Sequence, residues 1–258
     1  MREQYNEMVN TVKEIKIQAV PEKVIVEYTD RPWILSEATR KSHEEYWQKR
    51  IGQNPSLTNG TVYCIGEADH SPEKLHIQVH KTEYRHYLYT INHPGSDNPC
   101  RVIYTCAAVL TNDNHLVLGK MNKHTSTPGR LQFAGGGIDE TDLKDNRFNL
   151  EENINREIQE ELGLHPEQFQ IRPKYLKSGG EHDHWAVIFE CKTQLLAEQV
   201  KTAFEQHSNS LITEGKQPEF SKLIILQDNP DALSEFVKGN TQPKVDYLVP
   251  YLQSLYSH

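Results

Sequence analysis

The sequence predicts an α/β protein in which a layered domain follows a smaller α+β module. After residue 97, short apolar runs with strand character alternate with helical segments, the order expected of a layered α/β domain. A polar stretch with two prolines, residues 92–99, interrupts the pattern. The chain before it carries apolar runs of its own and is therefore expected to fold. We predict an N-terminal module over residues 1–96 and a second domain over residues 97–258.

The N-terminal module is expected to contain strands, one helix and an aromatic segment. Residues 14–29 hold short β-like runs. Residues 36–51 favour a helix, with Ser36 as a possible N-cap and Trp47 on its apolar side. The remaining predicted elements are two strands and the aromatic segment, at Thr61–Ile65, Leu75–Val79 and Tyr84–Tyr89.

Strands and helices alternate in the second domain. Val102–Leu110 and Leu116–Met121 flank four turn-forming residues, 111–114, which is a hairpin signal. A short strand, Leu131–Phe133, runs into the glycines at 135–137. Further strands are predicted at Ile171–Leu176, Trp185–Cys191 and Leu223–Leu226. Helices are predicted at Leu150–Leu162, Leu195–His207, Ala232–Val237 and Tyr247–Leu255.

Composition narrows the possible functions. The formal net charge of −8 argues against general nucleic-acid binding. No apolar run approaches the roughly 18 residues that a membrane span needs, and the polar N-terminus lacks a secretory signal, so we expect a cytoplasmic protein without a membrane partner. The four cysteines have no C-x-x-C spacing and are expected to be buried and reduced. They are Cys64, Cys100, Cys106 and Cys191.

The segment 156–164 carries the strongest functional signal. On a helix, Glu157 and Glu161 lie one turn apart, and Glu160 lies beside Glu161. Three carboxylates on one face repel each other unless they are solvated or a divalent cation neutralises them. A solvated face is the usual interpretation of an isolated run of glutamates. The preceding glycines and Arg156, whose planar guanidinium can orient a carboxylate, favour a cation such as Mg²⁺.

These residues resemble the Nudix box, G-x5-E-x7-R-E-U-x-E-E-x-G-U, in which U is aliphatic. Its second half matches at every defined position, which here are Arg156, Glu157, Ile158, Glu160, Glu161, Gly163 and Leu164. The first half departs from the pattern. If Gly136 is the motif glycine, the motif acid becomes Asp142, which stands 14 positions before Arg156, where the pattern expects about 8. The loop therefore carries about six extra residues.

The acid that pairs with Arg156 is therefore an open question in the sequence. Asp142 is the first choice, and the neighbouring loop acids Asp139, Glu140 and Asp145 are alternatives. Asn149, followed by Glu152, resembles a capping box, which predicts that the helix starts near Leu150.

The resemblance implies a Nudix α/β/α sandwich with a mixed sheet and hydrolysis of a nucleoside diphosphate linked to another group, X. It implies Mg²⁺ as cofactor, with Mn²⁺ as a possible substitute. The implied metal ligands are Glu157, Glu160, Glu161 and the carbonyl of Gly135. Arg156 would hold the helix carboxylates, while Gly136, Asp142 and Gly163 would shape the motif.

The general base and the phosphate contacts remain open. The base could be Glu160 on the helix or Glu219 in a later loop, and the group Glu181–His184 is another candidate. Lys120 and Arg130 flank the site in sequence and could contact phosphate. All of these residues are also consistent with ordinary surface positions.

Outside the Nudix box, a diffuse similarity to one Nudix subgroup suggests the chemical identity of the group X. The segments 54–60 and 84–90, together with the lengthened loop, resemble the Nudix subgroup that splits UDP-glucose or UDP-galactose into UMP and hexose 1-phosphate. Tyr84 and Tyr87 could stack on uracil, or, like Trp47, belong to the core. The alternatives are hydrolysis of ADP-ribose, a dinucleotide or another nucleotide, and a non-catalytic, ligand-sensing Nudix domain. The oligomeric state is left open.

Overall fold

The computed structural model describes residues 13–256, which contain twelve strands and six α-helices. The strands are β1 (Lys13–Ala19), β2 (Lys23–Thr29), β3 (Thr61–His70), β4 (Lys74–Glu83), β5 (Ile103–Leu110), β6 (His115–Met121), β7 (Leu131–Gln132), β8 (Leu143–Lys144), β9 (Arg147–Phe148), β10 (Phe169–Gly180), β11 (Trp185–Thr193) and β12 (Phe220–Gln227). The helices are α1 (Glu37–Gln53), α2 (Tyr84–Asn92), α3 (Leu150–Leu162), α4 (Ala197–Thr213), α5 (Pro230–Gly239) and α6 (Leu248–Ser254).

A mixed seven-stranded sheet forms the centre of the fold. Its order is β1-β10-β11-β5-β6-β12, and β7 pairs with β6. Strands β11 and β5 run parallel, with Val187 opposite Thr105, while the other pairs are antiparallel. The predicted mixed sheet is therefore confirmed, and its parallel pair places the start of β5 beside the start of β11.

Side chains alternate along the strands and present apolar residues on both faces of this sheet, and helices cover both faces. On β5, Ala107 and Val109 belong to a core cluster that includes Ile158 of α3 and residues of α4. Cys106 and Ala108 point to the opposite cluster, which is closed by α5 and α6. The layered α/β fold predicted from the sequence is therefore confirmed.

A second, five-stranded sheet joins the N-terminal strands to the loop before α3. Its order is β3-β4-β2-β9-β8, and Val26 of β2 lies opposite Phe148 of β9. Strand β1 meanwhile pairs with β10 of the central sheet, with Ile17 opposite Lys177. The division between residues 1–96 and 97–258 stays a prediction, and both of these pairings cross it.

Local sequence signals place the helix ends. Ser36 Oγ accepts a hydrogen bond from Thr39 N at 3.1 Å and caps α1, as predicted. Asn149 caps α3 in the same way by accepting from Glu152 N at 3.2 Å. Gly163 ends α3 in the left-handed conformation, with φ of 70°, which glycine adopts without steric cost.

Helix α2 contains the aromatic segment of the N-terminal module and continues to Asn92. All four cysteines are buried and free, as predicted. Within residues 13–256, no helix is both long enough and apolar enough to cross a membrane.

Candidate active site

A cleft of about 860 Å³ opens between α3, the glycine turn, α2 and the β10–β11 hairpin. Most of the residues proposed from the sequence line it. They are Tyr84, Tyr87, Arg130, Gly135, Gly136, Glu157, Glu160, Glu181, His182, His184 and Glu219. Lys120 does not line the cleft; it lies on β6, where its carbonyl accepts from Ser221 Oγ at 3.0 Å.

The glycine turn lets the α3 carboxylates approach the backbone. Gly135 N donates to Glu161 Oε2 at 2.7 Å. A Cβ atom on Gly136 would lie 2.6 Å from the carboxylate of Glu157, which is closer than atoms can pack. A Cβ atom on Gly135 would overlap the carbonyl oxygen of Thr105. A side chain is therefore excluded at Gly135 by the backbone, whereas one at Gly136 would displace the carboxylate of Glu157.

Burial and neighbouring like charges raise the pKa of two of these carboxyl groups. The pKa of Glu157 is raised to about 7, chiefly by burial, with additions from Glu160 and Glu219 and an opposing effect of Arg156. The pKa of Glu161 is raised well above its usual value, again chiefly by burial. Perturbed acids in a cleft are typical of functional sites.

One carboxylate oxygen stands out as a candidate ligand atom. Glu161 Oε1 is buried and has no hydrogen-bond partner within residues 13–256. A buried oxygen without a partner costs free energy that a bound cation would remove. Hard cations prefer oxygen donors, and the carboxyl groups of Glu157 and Glu219 lie close enough to Glu161 to raise its pKa.

These acids do not form a ready-made cage. Within residues 13–256, no three histidine, cysteine, aspartate or glutamate side chains already converge as a metal site. Binding a cation would require the glutamates to rotate about their side-chain bonds, which flexible side chains on a fixed helix can do. The donor types fit Mg²⁺ or Mn²⁺.

The loop acid that contacts Arg156 is Asp142. The guanidinium donates from Nη1 to Asp142 Oδ1 at 2.6 Å and from Nη2 to Oδ2 at 3.2 Å. The side chain of Asp142 is fully buried. On the helix side, Glu157 Oε1 lies 3.8 Å from Arg156 Nη2. Arg156 therefore bridges the loop and the carboxylate helix through a two-point contact.

The other loop acids have different positions. Asp139 Oδ2 lies 3.8 Å from Arg156 Nη2, at the limit of an ion pair. Glu140 accepts from Lys81 Nζ at 2.7 Å and so ties the loop to β4. Asp145 occupies the turn between β8 and β9, with φ of 47°.

Asn153, which the sequence interpretation missed, connects three parts of the site. Its Nδ2 donates to Asp142 Oδ2 at 2.9 Å and to the carbonyl of Gly137 at 3.1 Å, and its Oδ1 accepts from Thr105 Oγ1. Thr105 N in turn donates to the carbonyl of Gly136 at 3.0 Å. The available signal was a polar residue beside Ile154 on the buried face of an amphipathic helix.

Aromatic side chains form another wall of the cleft. Tyr84 and Tyr87 are half-buried on α2, and the ring of Tyr87 stacks on His184 with centroids 5.6 Å apart. Trp47 is buried behind them, in edge-to-face contact with Tyr84 at 6.4 Å. Trp47 therefore belongs to the core, as predicted from the sequence.

The group Glu181–His184 divides between structural and cleft positions. Asp183 accepts from Lys13 Nζ at 2.7 Å and from Gly179 N at 2.9 Å, which orders the hairpin. Burial, followed by the nearby charges of His182 and Lys177, lowers the pKa of His184 to about 3, so its imidazole is neutral at physiological pH.

Two further cleft residues were missed. Lys177 Nζ donates to Asp246 Oδ2 at 2.7 Å, and both side chains line the cleft. The signal for Lys177 was its position next to the apolar run that ends at Leu176. Nothing local distinguishes Asp246.

Proteins with a similar fold are found among solved structures. No protein-family profile matches the chain, and no curated protein matches it. Among solved structures it is similar to DR0079 from Deinococcus radiodurans, with 17% identity, 63% of this chain and 89% of that chain covered, and a TM-score of 0.42. A MutT protein from Methanosarcina mazei Go1 is 15% identical, with 60% of this chain and 92% of that chain covered and a TM-score of 0.40. The Nudix domain of Shewanella oneidensis NrtR, crystallised with ADP ribose, is 13% identical, with 66% of this chain and 96% of that chain covered and a TM-score of 0.37.

Proposed function

We propose that this chain is a Nudix hydrolase that uses a divalent metal ion to cleave the diphosphate of a nucleoside diphosphate linked to X. The observation that carries the proposal is the arrangement of Glu161. Its Oε2 accepts from Gly135 N, and its Oε1 is buried and has no hydrogen-bond partner in the part of the chain that the structure describes. Glu157 and Glu160 extend from the same helix into the cleft.

The α3 glutamates and the carbonyl of Gly135 would hold the cation. When bound, Mg²⁺ or Mn²⁺ neutralises phosphoryl oxygens and lowers the pKa of a bound water. Arg156 holds Glu157 near the glycine turn, and Asp142 holds Arg156. The residues therefore contribute position and charge, which is most of what phosphoryl transfer requires.

Two exposed carboxylates can take the proton of the attacking water. Glu219 and Glu160 both line the cleft. The backbone of Glu219 is anchored because its carbonyl accepts from Asn122 N at 2.7 Å. Arg130 lines the same cleft and is the proposed phosphate contact, whereas the position of Lys120 does not support that role. We propose Glu219 as general base, with Glu160 as the alternative.

We propose a nucleotide sugar as the substrate, most specifically a UDP-sugar that yields UMP and a sugar 1-phosphate. The wall formed by Tyr84 and Tyr87 supports this proposal because flat aromatic rings can stack on a base. Sequence resemblance in the segments 54–60 and 84–90 is the reason for preferring uridine.

Hydrolysis of a nucleotide panel tests the proposal. UDP-glucose, ADP-ribose, a dinucleoside diphosphate and a nucleoside triphosphate are incubated with wild-type protein and Mg²⁺, and then with EDTA. Glu161→Gln is the inactive variant, and Glu151→Gln, exposed on the first turn of the same helix, is its control. We expect metal-dependent release of UMP that Glu161→Gln lowers at least about 100-fold.

The panel also separates the alternatives. Faster cleavage of ADP-ribose than of UDP-glucose would replace the substrate but keep the enzyme class. Binding of a nucleotide without any turnover would indicate a ligand-sensing domain. Equal activity of Glu161→Gln and wild type would remove the proposed site.

A further inference from the structure

Lys177 presents a buried ammonium group at the wall of the cleft. Its side chain is only 2% exposed, and Nζ donates to Asp246 Oδ2 at 2.7 Å and to the carbonyl of His184 at 3.0 Å. An ammonium group has three N–H donors. Within residues 13–256, the third has no protein acceptor.

Asp246 supplies the complementary half of the pair. Its side chain is 44% exposed; Oδ2 is bound to Lys177, and Oδ1 accepts no hydrogen bond within residues 13–256. The backbone around it is held in place, because Val245 N donates to the carbonyl of Leu131 at 3.1 Å. Within the described residues, the ion pair therefore keeps one N–H donor of Lys177 and one acceptor atom, Asp246 Oδ1, available for a ligand.

Gly180 allows the pair to form. A Cβ atom at this position would lie 2.5 Å from Asp246 Oδ2 and 3.4 Å from Lys177 Nζ, and the φ of 86° is itself one that favours glycine. The backbone of β10 is therefore shaped around the ion pair.

The charges of the pair select the kind of ligand. A phosphate group, which only accepts hydrogen bonds when ionised, would be repelled by the carboxylate of Asp246. A cation would be repelled by Lys177. A hydroxyl group both donates and accepts, so two adjacent hydroxyls can accept from the ammonium and donate to the carboxylate. A neutral diol therefore matches the pair better than either kind of ion.

We propose that Lys177 and Asp246 form a hydroxyl-binding subsite that takes the vicinal diol of a sugar ring. The rings of His182 and His184, with centroids 5.5 Å apart, line the same cleft and add apolar surface to its wall. The inference rests on the proposed function and deepens it, because it requires a substrate that carries a ring diol. Two rings qualify, the ribose of the nucleoside and a sugar at X.

Four substrates separate the two sources of the diol. UDP-glucose has a diol on both rings, 2′-deoxy-UDP-glucose only on glucose, the propyl ester of UDP only on ribose, and the propyl ester of 2′-deoxy-UDP on neither. KM and kcat are measured for wild type and for the double variant Lys177→Met with Asp246→Ala. Removing both charges avoids leaving one of them unpaired.

The matched control is Lys174→Met with Glu190→Ala. This ion pair joins β10 to β11, so it shares strand β10 with Lys177, and neither residue lines the cleft. We expect the cleft variant to raise KM about tenfold or more for the substrates that keep the bound diol, with kcat nearly unchanged. The propyl ester of 2′-deoxy-UDP should keep its KM, and the control variant should change none of the four.

Equal changes of KM on all four substrates, or no change on any, would overturn the subsite. If the double variant does not fold, Lys177→Met with Asp246→Asn removes the same two charges and keeps the shape of the Asp246 side chain. Calorimetric titration in EDTA with UDP-glucose and the propyl ester of 2′-deoxy-UDP separates the subsite from the proposed activity. A preference of wild type for the diol, lost in the variant, would support the subsite even if no substrate were hydrolysed.

Discussion

Replacing Glu157 by glutamine should stabilise the metal-free protein, and more so at alkaline pH. The side chain of Glu157 is 17% exposed, and its pKa rises from 4.5 to about 7 on folding. Because the folded-state pKa is the higher one, the folded state binds more protons between these values. Stability therefore falls as pH rises from about 4.5 to 7 and stays low above that range.

The size of the effect follows from the two pKa values. Ionisation of Glu157 costs the folded state about 1 kcal/mol at pH 5 and about 3 kcal/mol at pH 8. Glutamine does not ionise, so the gain from Glu157→Gln should be larger at pH 8 than at pH 5 by about 2 kcal/mol. For a chain of this size that corresponds to an additional rise in Tm of about 4–8 °C.

Thermal unfolding in EDTA at pH 5 and pH 8 measures this difference. Glu151→Gln is the control, because Glu151 is exposed in the first turn of the same helix and its replacement should not stabilise the protein at either pH. An equal rise in Tm at the two pH values, or a lower Tm at pH 8, would refute the inference that ionisation of Glu157 destabilises the folded state.

Three other substitutions or deletions test the supporting structure. Asp142→Asn should lower the free energy of unfolding by about 1.5–3 kcal/mol and reduce kcat, whereas Asp145→Asn, at an exposed turn, should change neither in denaturation and rate assays. Asn153→Ala should lower the free energy of unfolding by about 1–3 kcal/mol and also lower kcat. Its control, Thr193→Val, removes a buried hydroxyl far from the cleft and should lower the free energy of unfolding without lowering kcat. A chain that starts at Asn98 lacks β2, the partner of β9, and should be insoluble or show a much higher KM; a soluble product with unchanged kinetics would contradict this.

The local features of helix α3 were predictable from the sequence. Asn149 caps α3, Gly163 ends it, and the spacing of Glu157 and Glu161 places both on the face that meets the glycine turn. Each of these depends on hydrogen bonds or periodicity within one or two helical turns. Such interactions are encoded by neighbouring residues, so a short motif suffices to identify them.

The order of strands in the second sheet depended on tertiary structure. Strand β2 pairs with β9, in the lengthened loop, although more than a hundred residues separate them in the chain. Neither strand carries a local signal for the other, because the pairing is decided by which apolar faces can be buried together. The extra loop residues thus gain a partner that a linear motif cannot specify.

The polar contacts of the cleft were decided in the same way. Apart from the bond between Arg156 and Asp142, which the motif suggested, the contacts of Asn153 with Thr105 and of Lys177 with Asp246 join residues 48 and 69 positions apart. A buried polar group needs a partner, but its sequence neighbours do not reveal which one. The sequence by itself therefore determined the carboxylate helix and the spacing of its acids. The tertiary structure decided what holds that helix in place and which groups face the cleft, because those contacts form only when distant segments pack.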